Sequence, residues 1–402
     1  MISNIQNLFS DQANRMKRSA IRECLKLTQQ PDIISFAGGL PSKTSFPYDD
    51  IKKLAVSVIE EDGPAALQYS TTEGDNGLRE QLLKRYQKEG LTHITTDNIV
   101  ITTASQQSLD LLGKIFINPG DKIICGLPSY LGGISAFAVY GPELVGIKFD
   151  EHGMRADILE EKLKVLSEAG EKPKFIYVIP DFQNPAGITM PEFRRKKIID
   201  LAHKYEVLIV EDSPYREVRF EGQAPAMMHA LDKTGQVITL GTFSKIFCPG
   251  FRIGWIVADQ AILEKFVQAK QTADLCTSSY LQKIAAKYLE TGLFEKNLTG
   301  IIEEYKQKKN HMIKNFETYM PKGVRWTNPE GGLFLFLYLP EHLDAGKIFF
   351  KAIEKKVAFV QGDVFHCDGS GKNTLRINFS FVDKETNTEG VKRLAETIKE
   401  SL

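Results

Sequence analysis

Lys245 stands where an apolar run gives out, in LGTFSKIFCPGFRIGW (240–255), with Thr242, Ser244 and Arg252 around it. Lysines ordinarily occupy solvated faces. One at the end of a buried strand lies in a partly desolvated pocket, where its amine pKa falls and it becomes a nucleophile toward a carbonyl. The two hydroxyls and the guanidinium beside it are phosphate donors, the guanidinium suited to two-pronged contact. Other run ends carry matching chemistry. VLIVED (207–212) stops at Asp212, with Tyr215 three residues on. A carboxylate there is costly without a partner, and a positively charged ligand atom would be one. KFIYVIP (174–180) passes into DFQNPAG, where Asn184 precedes a Pro185 open to the cis form, although an Asn-Pro turn needs no function to explain it. NIVITT (98–103) runs through ASQQ (104–107) straight into a helical pattern. That is a helix N-terminus able to hold an anion, with Ser105 and Gln106 as added donors, while Ser is also simply a good N-cap. KIICGLPSY ends in Tyr130, a ring beside a Pro-Ser turn that in isolation reads first as a packed loop tyrosine.

Taken together these groups fit one cofactor, pyridoxal phosphate. Its aldehyde suits the lysine, and its phosphate suits the hydroxyls, the arginine and a helix N-terminus. Its ring nitrogen suits a carboxylate, and its phenolate oxygen suits Tyr and Asn donors. A carboxylate at the ring nitrogen keeps it protonated and strengthens the ring as an electron sink.

The elements that must position these residues are legible as alternation. Seven strand-like runs are NIVITT (98–103), DKIICGL (121–127), ELVGIKF (143–149), KFIYVIP (174–180), VLIVED (207–212), QVITLGTF (236–243) and RIGWIVA (252–258). Helical patterns such as SLDLLGKIF (108–116), ADILEEKLKVLSEAG (156–170) and PEFRRKKIIDLAHKYE (191–206) separate several of them. That spacing predicts crossover units and an α/β fold with a mostly parallel seven-stranded sheet, whose ligands bind beyond the carboxyl ends of the strands. RIGWIVA follows its predecessor too closely for a crossover helix and is expected to run antiparallel. After about residue 260 long helices take over, then strands at GLFLFLYL (332–339), VAFVQG (357–362) and TLRINFSF (374–381), a second and smaller α+β unit. The expected division is residues 1–45 as an N-terminal helix and joining segment, 46–292 as the large cofactor-binding unit and 293–402 as the small one.

Composition narrows the function classes. Lys+Arg and Asp+Glu both number 51, so the chain lacks the basic excess of a nucleic-acid binder. Cys24, Cys125, Cys248, Cys276 and Cys367 are scattered and never form C-x-x-C, which argues against a metal site or a disulfide framework and for reduced thiols. MISNIQNLFSDQANRMKRS lacks the apolar core of a signal peptide, and no apolar run approaches the roughly 20 residues of a membrane span. A cytoplasmic protein without membrane or nucleic-acid partners is expected.

Seven stretches in order, SFAGGLP (35–41), LQYSTTEGDNGLRE (67–80), ASQQ, PDFQNPAG (180–187), VEDSPY (210–215), TFSKIFCPGFRIGW (242–255) and TLRINFS (374–380), resemble the fold-type-I pyridoxal-phosphate aminotransferases of class I/II. The resemblance covers nearly the whole chain. It is closest to the 2-aminoadipate, kynurenine and aromatic aminotransferases and the MocR-type regulators. It implies that Lys245 bonds the cofactor aldehyde and shuttles the proton, that Asp212 partners the ring nitrogen and that Asn184 and Tyr215 serve the phenolate. Tyr130 would stack on the ring, and Ser105, Gln106, Thr242, Ser244 and Arg252 would hold the phosphate. Tyr69 would reach the phosphate of a neighbouring subunit, which implies a homodimer with shared active sites. Arg376 would grip the substrate α-carboxylate, Gly39 would allow close approach of the N-terminal segment, and Arg22 would engage a distal side-chain carboxylate, although a solvated helix arginine explains Arg22 as well. The implied reaction moves an amino group between an L-amino acid and 2-oxoglutarate. A β-lyase on the same fold is an alternative. A regulator domain is another, but only 34 residues precede Ser35, too few for its DNA-binding part.

Overall fold

The structure, a computed structural model, describes residues 5–18 and 32–402. In chain order its strands are β1 (Ile34–Ser35), β2 (Ile99–Thr102), β3 (Lys122–Leu127), β4 (Glu143–Asp150), β5 (Gly153–Met154), β6 (Phe175–Val178) and β7 (Leu208–Asp212). Then come β8 (Val237–Thr242), β9 (Gly254–Val257), β10 (Arg325–Trp326), β11 (Phe334–Tyr338), β12 (Val357–Ala358), β13 (Val360–Gln361) and β14 (Thr374–Asn378).

The large sheet has the order β2-β9-β8-β7-β6-β3-β4-β5. All seven expected runs lie in it. β3, β4, β6, β7 and β8 are parallel, and β9 is antiparallel to both of its neighbours, β8 and β2. An eighth, two-residue strand was not expected. β5 folds back on the end of β4 through Glu151 and His152, helped by Gly153 at φ 88°. The central strands β6, β7 and β8 are mostly apolar, as burial on both faces demands, with Glu211, Asp212, Thr239 and Thr242 as buried exceptions. On one face the helices Ala156–Glu168 and Glu192–Tyr205 pack together over Leu159, Leu163, Ile198, Leu201 and Ala202, all at most 1% exposed. Each large apolar side chain so enclosed contributes about 1.5–3 kcal/mol. Pro191 caps the second of these helices and Glu206, in the left-handed region, closes it.

A four-stranded antiparallel sheet, β10-β11-β14-β13, lies in the C-terminal part beside the 27-residue helix Leu293–Tyr319. Here one expected strand is two. VAFVQG splits at buried Phe359, so that β12 pairs with β1 from the N-terminal segment while β13 turns to β14.

Candidate active site

A cavity of about 140 Å³ opens at the carboxyl ends of β2, β7 and β8, lined by Ser105, Gln106, Tyr130, Asp212, Tyr215, Thr242, Ser244, Lys245 and Arg252. Each of these was singled out from the sequence, and the topology brings them together. The Lys245 amine donates to the Gly39 carbonyl at 2.8 Å. Burial lowers its pKa to about 8, with the Arg376 and Arg252 charges pushing the same way. Asp212 is 2% exposed, and its Oδ2 accepts the Tyr177 hydroxyl at 2.7 Å. Burial raises its carboxyl to about 6 against the lowering effect of that hydrogen bond. Its Oδ1 is buried and has no hydrogen-bond partner in the structure.

Above these, Asn184 Nδ2 donates to the Tyr215 hydroxyl at 3.1 Å and Asn184 Oδ1 accepts Arg376 Nη1 at 2.9 Å. The Asn184–Pro185 bond is cis. Arg376, 1% exposed on β14, also donates Nη2 to the Ala37 carbonyl at 2.7 Å and lies over the Phe334 ring at 4.3 Å. Burial raises the Tyr215 phenol and keeps it protonated as a donor.

The phosphate-donor set gathers around β8 and β9. The Thr242 hydroxyl donates to the Ile253 carbonyl at 3.0 Å and accepts the Ser244 N–H at 3.2 Å. Arg252 adopts a left-handed backbone, φ 54°, and its exposed guanidinium donates to the Pro249 carbonyl at 3.2 Å. Ser105 and Gln106 lie in the first turn of helix Ala104–Phe116, which opens at Ala104 with φ 62°. That helix start presses on β9. A Cβ on Gly254 would stand 2.6 Å from the Ala104 carbonyl carbon and the Ser105 nitrogen, so only glycine lets the anion-binding turn sit there.

Three further expected residues fall out differently. Tyr69 is 78% exposed and does not line this cavity. Gly39 is at the site through its carbonyl, and a Cβ there would lie 3.3 Å from Phe334 Cζ, so it admits the Phe334 ring as well as the lysine. Arg22 falls outside the described residues.

Sequence reasoning missed Tyr177, Gly254 and the buried acid Asp181. Asp181 Oδ1 accepts Arg195 Nη2 at 2.7 Å and its Oδ2 accepts Arg216 Nη1 at 3.1 Å, with Arg219 at 3.6 Å. Burial alone would raise this carboxyl, but the three guanidiniums outweigh it and hold it low. The network anchors the turn that carries Asn184. A tyrosine hydroxyl within the otherwise apolar FIYV and an Asp just past Pro180 were the available signals. A larger cavity of about 360 Å³ shares Pro214 and Thr242 with the site but is lined by paired ions such as Arg85 with Glu217 and Glu295, and lacks the lysine.

The residues fit pyridoxal phosphate. The orphaned Asp212 oxygen wants a cationic N–H, the amine is poised as a nucleophile, and two hydroxyls, a guanidinium and a helix N-terminus line one cavity where they could hold a phosphate. Fold and site define a fold-type-I pyridoxal-phosphate enzyme. The chain belongs to the class I and II aminotransferases, whose family model matches residues 32–394. It is 48% identical over 397 residues to aromatic-amino-acid aminotransferase 1 of Thermococcus litoralis, covering 99% of this chain and 95% of that one. It is 40% identical to the 2-aminoadipate transaminase of Thermus thermophilus, covering 97% and 96%. The kynurenine aminotransferase structure from Pyrococcus horikoshii superposes with a TM-score of 0.96 at 46% identity, covering 100% and 99%. The chain is an amino-acid aminotransferase that uses pyridoxal phosphate, amino acids and oxo acids; the lyase and regulator alternatives are not favoured. Among the described residues no helix is long and apolar enough to cross a membrane.

Proposed function

We propose that the chain transfers the amino group of an aromatic or 2-aminoadipate-type L-amino acid to 2-oxoglutarate, as a cytoplasmic homodimer. The observation that carries this reading is the pairing of a lysine amine lowered to about 8 with a buried, half-partnered Asp212 in one small cavity. The names of the relatives supply the donor class. When bound, pyridoxal phosphate supplies a carbonyl carbon for the amine and a ring that accepts the electrons of the substrate's Cα–H bond.

The chain's own residues do the rest. Arg376 binds the α-carboxylate and, through Asn184, aligns it with the Tyr215 hydroxyl. Lys245 Nζ, whose lowered pKa brings its unprotonated form within reach, would take the α-proton and return it one step later. Asp212 would hold the ring nitrogen protonated, while Asn184 and Tyr215 would donate to the phenolate oxygen. Tyr130 covers a ring face. Ser105, Gln106, Thr242, Ser244 and Arg252 hold the phosphate, joined by Tyr69 from the partner subunit, a role its exposure in the single chain supports. Gly39 closes against the substrate, and Arg22 meets a distal carboxylate. We also propose that residues 46–292 and 293–402 act as two units, with 1–45 joining the small one; the β1–β12 pairing supports that assignment of the N-terminal segment.

The test is a half-reaction. The purified holoenzyme, mixed with glutamate and separately with phenylalanine, tyrosine, kynurenine and 2-aminoadipate, should shift its cofactor absorbance from the carbonyl to the amine form. No shift with any of them sinks the reading. Lys245→Ala should abolish turnover while keeping the far-UV circular dichroism of the parent.

A further inference from the structure

Cys125 and Cys367 lie 242 residues apart in the chain, yet the Cys125 thiol donates to the Cys367 sulfur at 3.7 Å. Both are free thiols. Cys125 is inside β3, 1% exposed and in register with Tyr177 on β6. Cys367 occupies a half-buried turn just past Asp363–Phe365. A disulfide needs its sulfurs at about 2.05 Å. The strand is fixed by its neighbours, but the turn leads into Gly369 and Gly371, at φ 72° and 75°, and can close that gap from its side.

The arrangement also divides the labour. Cys367 is the sulfur a small reagent can reach, and the hydrogen bond from Cys125 lowers its pKa while raising that of Cys125. Cys125 waits behind it as the resolving thiol.

We infer that Cys125 and Cys367 form a reversible intramolecular disulfide site, oxidised by low-molecular-weight disulfides of the glutathione type, that ties β3 to the wall carrying Arg376. The Cys367 thiolate attacks one sulfur of the reagent, RSSR, and expels RS⁻, leaving a mixed disulfide on Cys367. Cys125 gives up its proton to the expelled thiolate, attacks the Cys367 sulfur and releases the second RS⁻, which takes a proton from water. The two protein thiols lose two electrons and RSSR gains them as two RSH.

The bond would restrain the substrate side. Phe365, two residues before Cys367, packs on the Arg376 guanidinium at 5.1 Å. The Phe365 carbonyl accepts the N–H of Ser129 at 2.8 Å, and Ser129 is followed by Tyr130, which lines the cavity. A covalent link beside Phe365 therefore limits adjustment of both Arg376 and Tyr130 when an amino acid enters. This consequence rests on Arg376 as the carboxylate-binding residue; the bond itself does not.

The experiment incubates the holoenzyme with oxidised glutathione, alkylates the remaining thiols and maps the peptides by mass. The expected result is one cross-linked Cys125–Cys367 pair, two hydrogens lighter than its reduced peptides, which dithiothreitol releases. Cys367→Ser should lack it, and Cys125→Ser should stop at the mixed disulfide on Cys367. With the bond formed, KM for the amino donor should rise about tenfold with kcat little changed, and Cys367→Ser should keep the reduced KM under the same treatment. Recovery of both cysteines singly alkylated, or of Cys367 glutathionylated in the parent protein with no cross-link, overturns the inference. A bond with no change in KM overturns its link to the substrate wall. A reduced enzyme that turns over no amino acid is a failure of the transaminase reading alone, because the peptide map is read without turnover.

Discussion

Lys245 and Asp212 are displaced toward neutrality by the same cause, enclosure that penalises either charge. The amine sits at about 8 and the acid at about 6, so near neutral pH the cofactor-free cavity holds an amine that loses its proton easily and an unhappy carboxylate. The amine must be unprotonated to bond an aldehyde. Capture of pyridoxal phosphate by the cofactor-free protein should therefore speed up as pH rises through about 8, read by absorbance. Arg376→Ala removes a repelling charge, so it should move that midpoint upward. For Asp212 the folded value lies above the ordinary 3.8. Its ionisation therefore destabilises the cofactor-free fold, with stability lost as pH rises between about 4 and 6. Asp212→Asn should stabilise the cofactor-free protein at pH 8 by about 3 kcal/mol and have no such effect near pH 4, by urea denaturation. The same change should cut kcat by about 10²–10³, since the ring nitrogen loses its counter-charge. A parent and variant of equal stability at pH 8 would count against the burial argument.

Short turns between strand and helix carry the site. Ala104, Phe182 and Arg252 are non-glycine residues in the left-handed region, all within or beside it, and each such backbone costs of order 1–3 kcal/mol. Packing must hold them. At the turn 181–187 the holding is done by Asp181 among Arg195, Arg216 and Arg219, with both Asp181 and Arg195 wholly buried. Asp181→Ala would take the carboxylate from the buried Arg195 guanidinium, while Arg216 and Arg219 keep Glu89 and Glu330. It should destabilise the fold by about 3–5 kcal/mol and weaken cofactor retention through displacement of Asn184. A loss below 1 kcal/mol in chemical denaturation would show that the network is dispensable. This layer was not legible in the sequence. Asn184 announced itself by its place after an apolar run, whereas the arginines that fix its turn come from a following helix and a later loop. Tyr177 was hidden for a similar reason. Its link to Asp212 depends on β6 lying parallel to β7 with Tyr177 opposite Val210, a register that alternation does not specify. The seven strands and the antiparallel β9 were legible because apolar length and loop length decide them. The split of VAFVQG was not, since which sheet each half joins depends on partners far along the chain. The Cys125–Cys367 contact likewise has no trace in cysteine spacing.

At the scale of the whole molecule, the proposed homodimer requires Tyr69, exposed in the single chain, to complete the partner's site. Mixed dimers test this. Tyr69→Ala and Lys245→Ala should each be nearly inactive alone, but subunits exchanged between them should regain activity. The mixed dimer then holds one site with an intact lysine and an intact tyrosine from its partner. No recovery on mixing would confine each site to a single chain. The sheet order has a further consequence, in time. β2 and β8 do not touch, and the helix start after β2 meets the lysine turn after β8 only because β9 lies between them, pairing residues as distant in the chain as Ile99 and Val257. A nascent chain makes the anion-binding helix start first and the lysine turn much later, and the two meet only once β9, which follows Lys245, has paired back with β2. Closing so long a loop is a slow, late event in assembly. The vitamin-derived cofactor should thus be taken up only by chains that have finished their sheet, and its colour during refolding should lag the backbone signal, a built-in clock for completion.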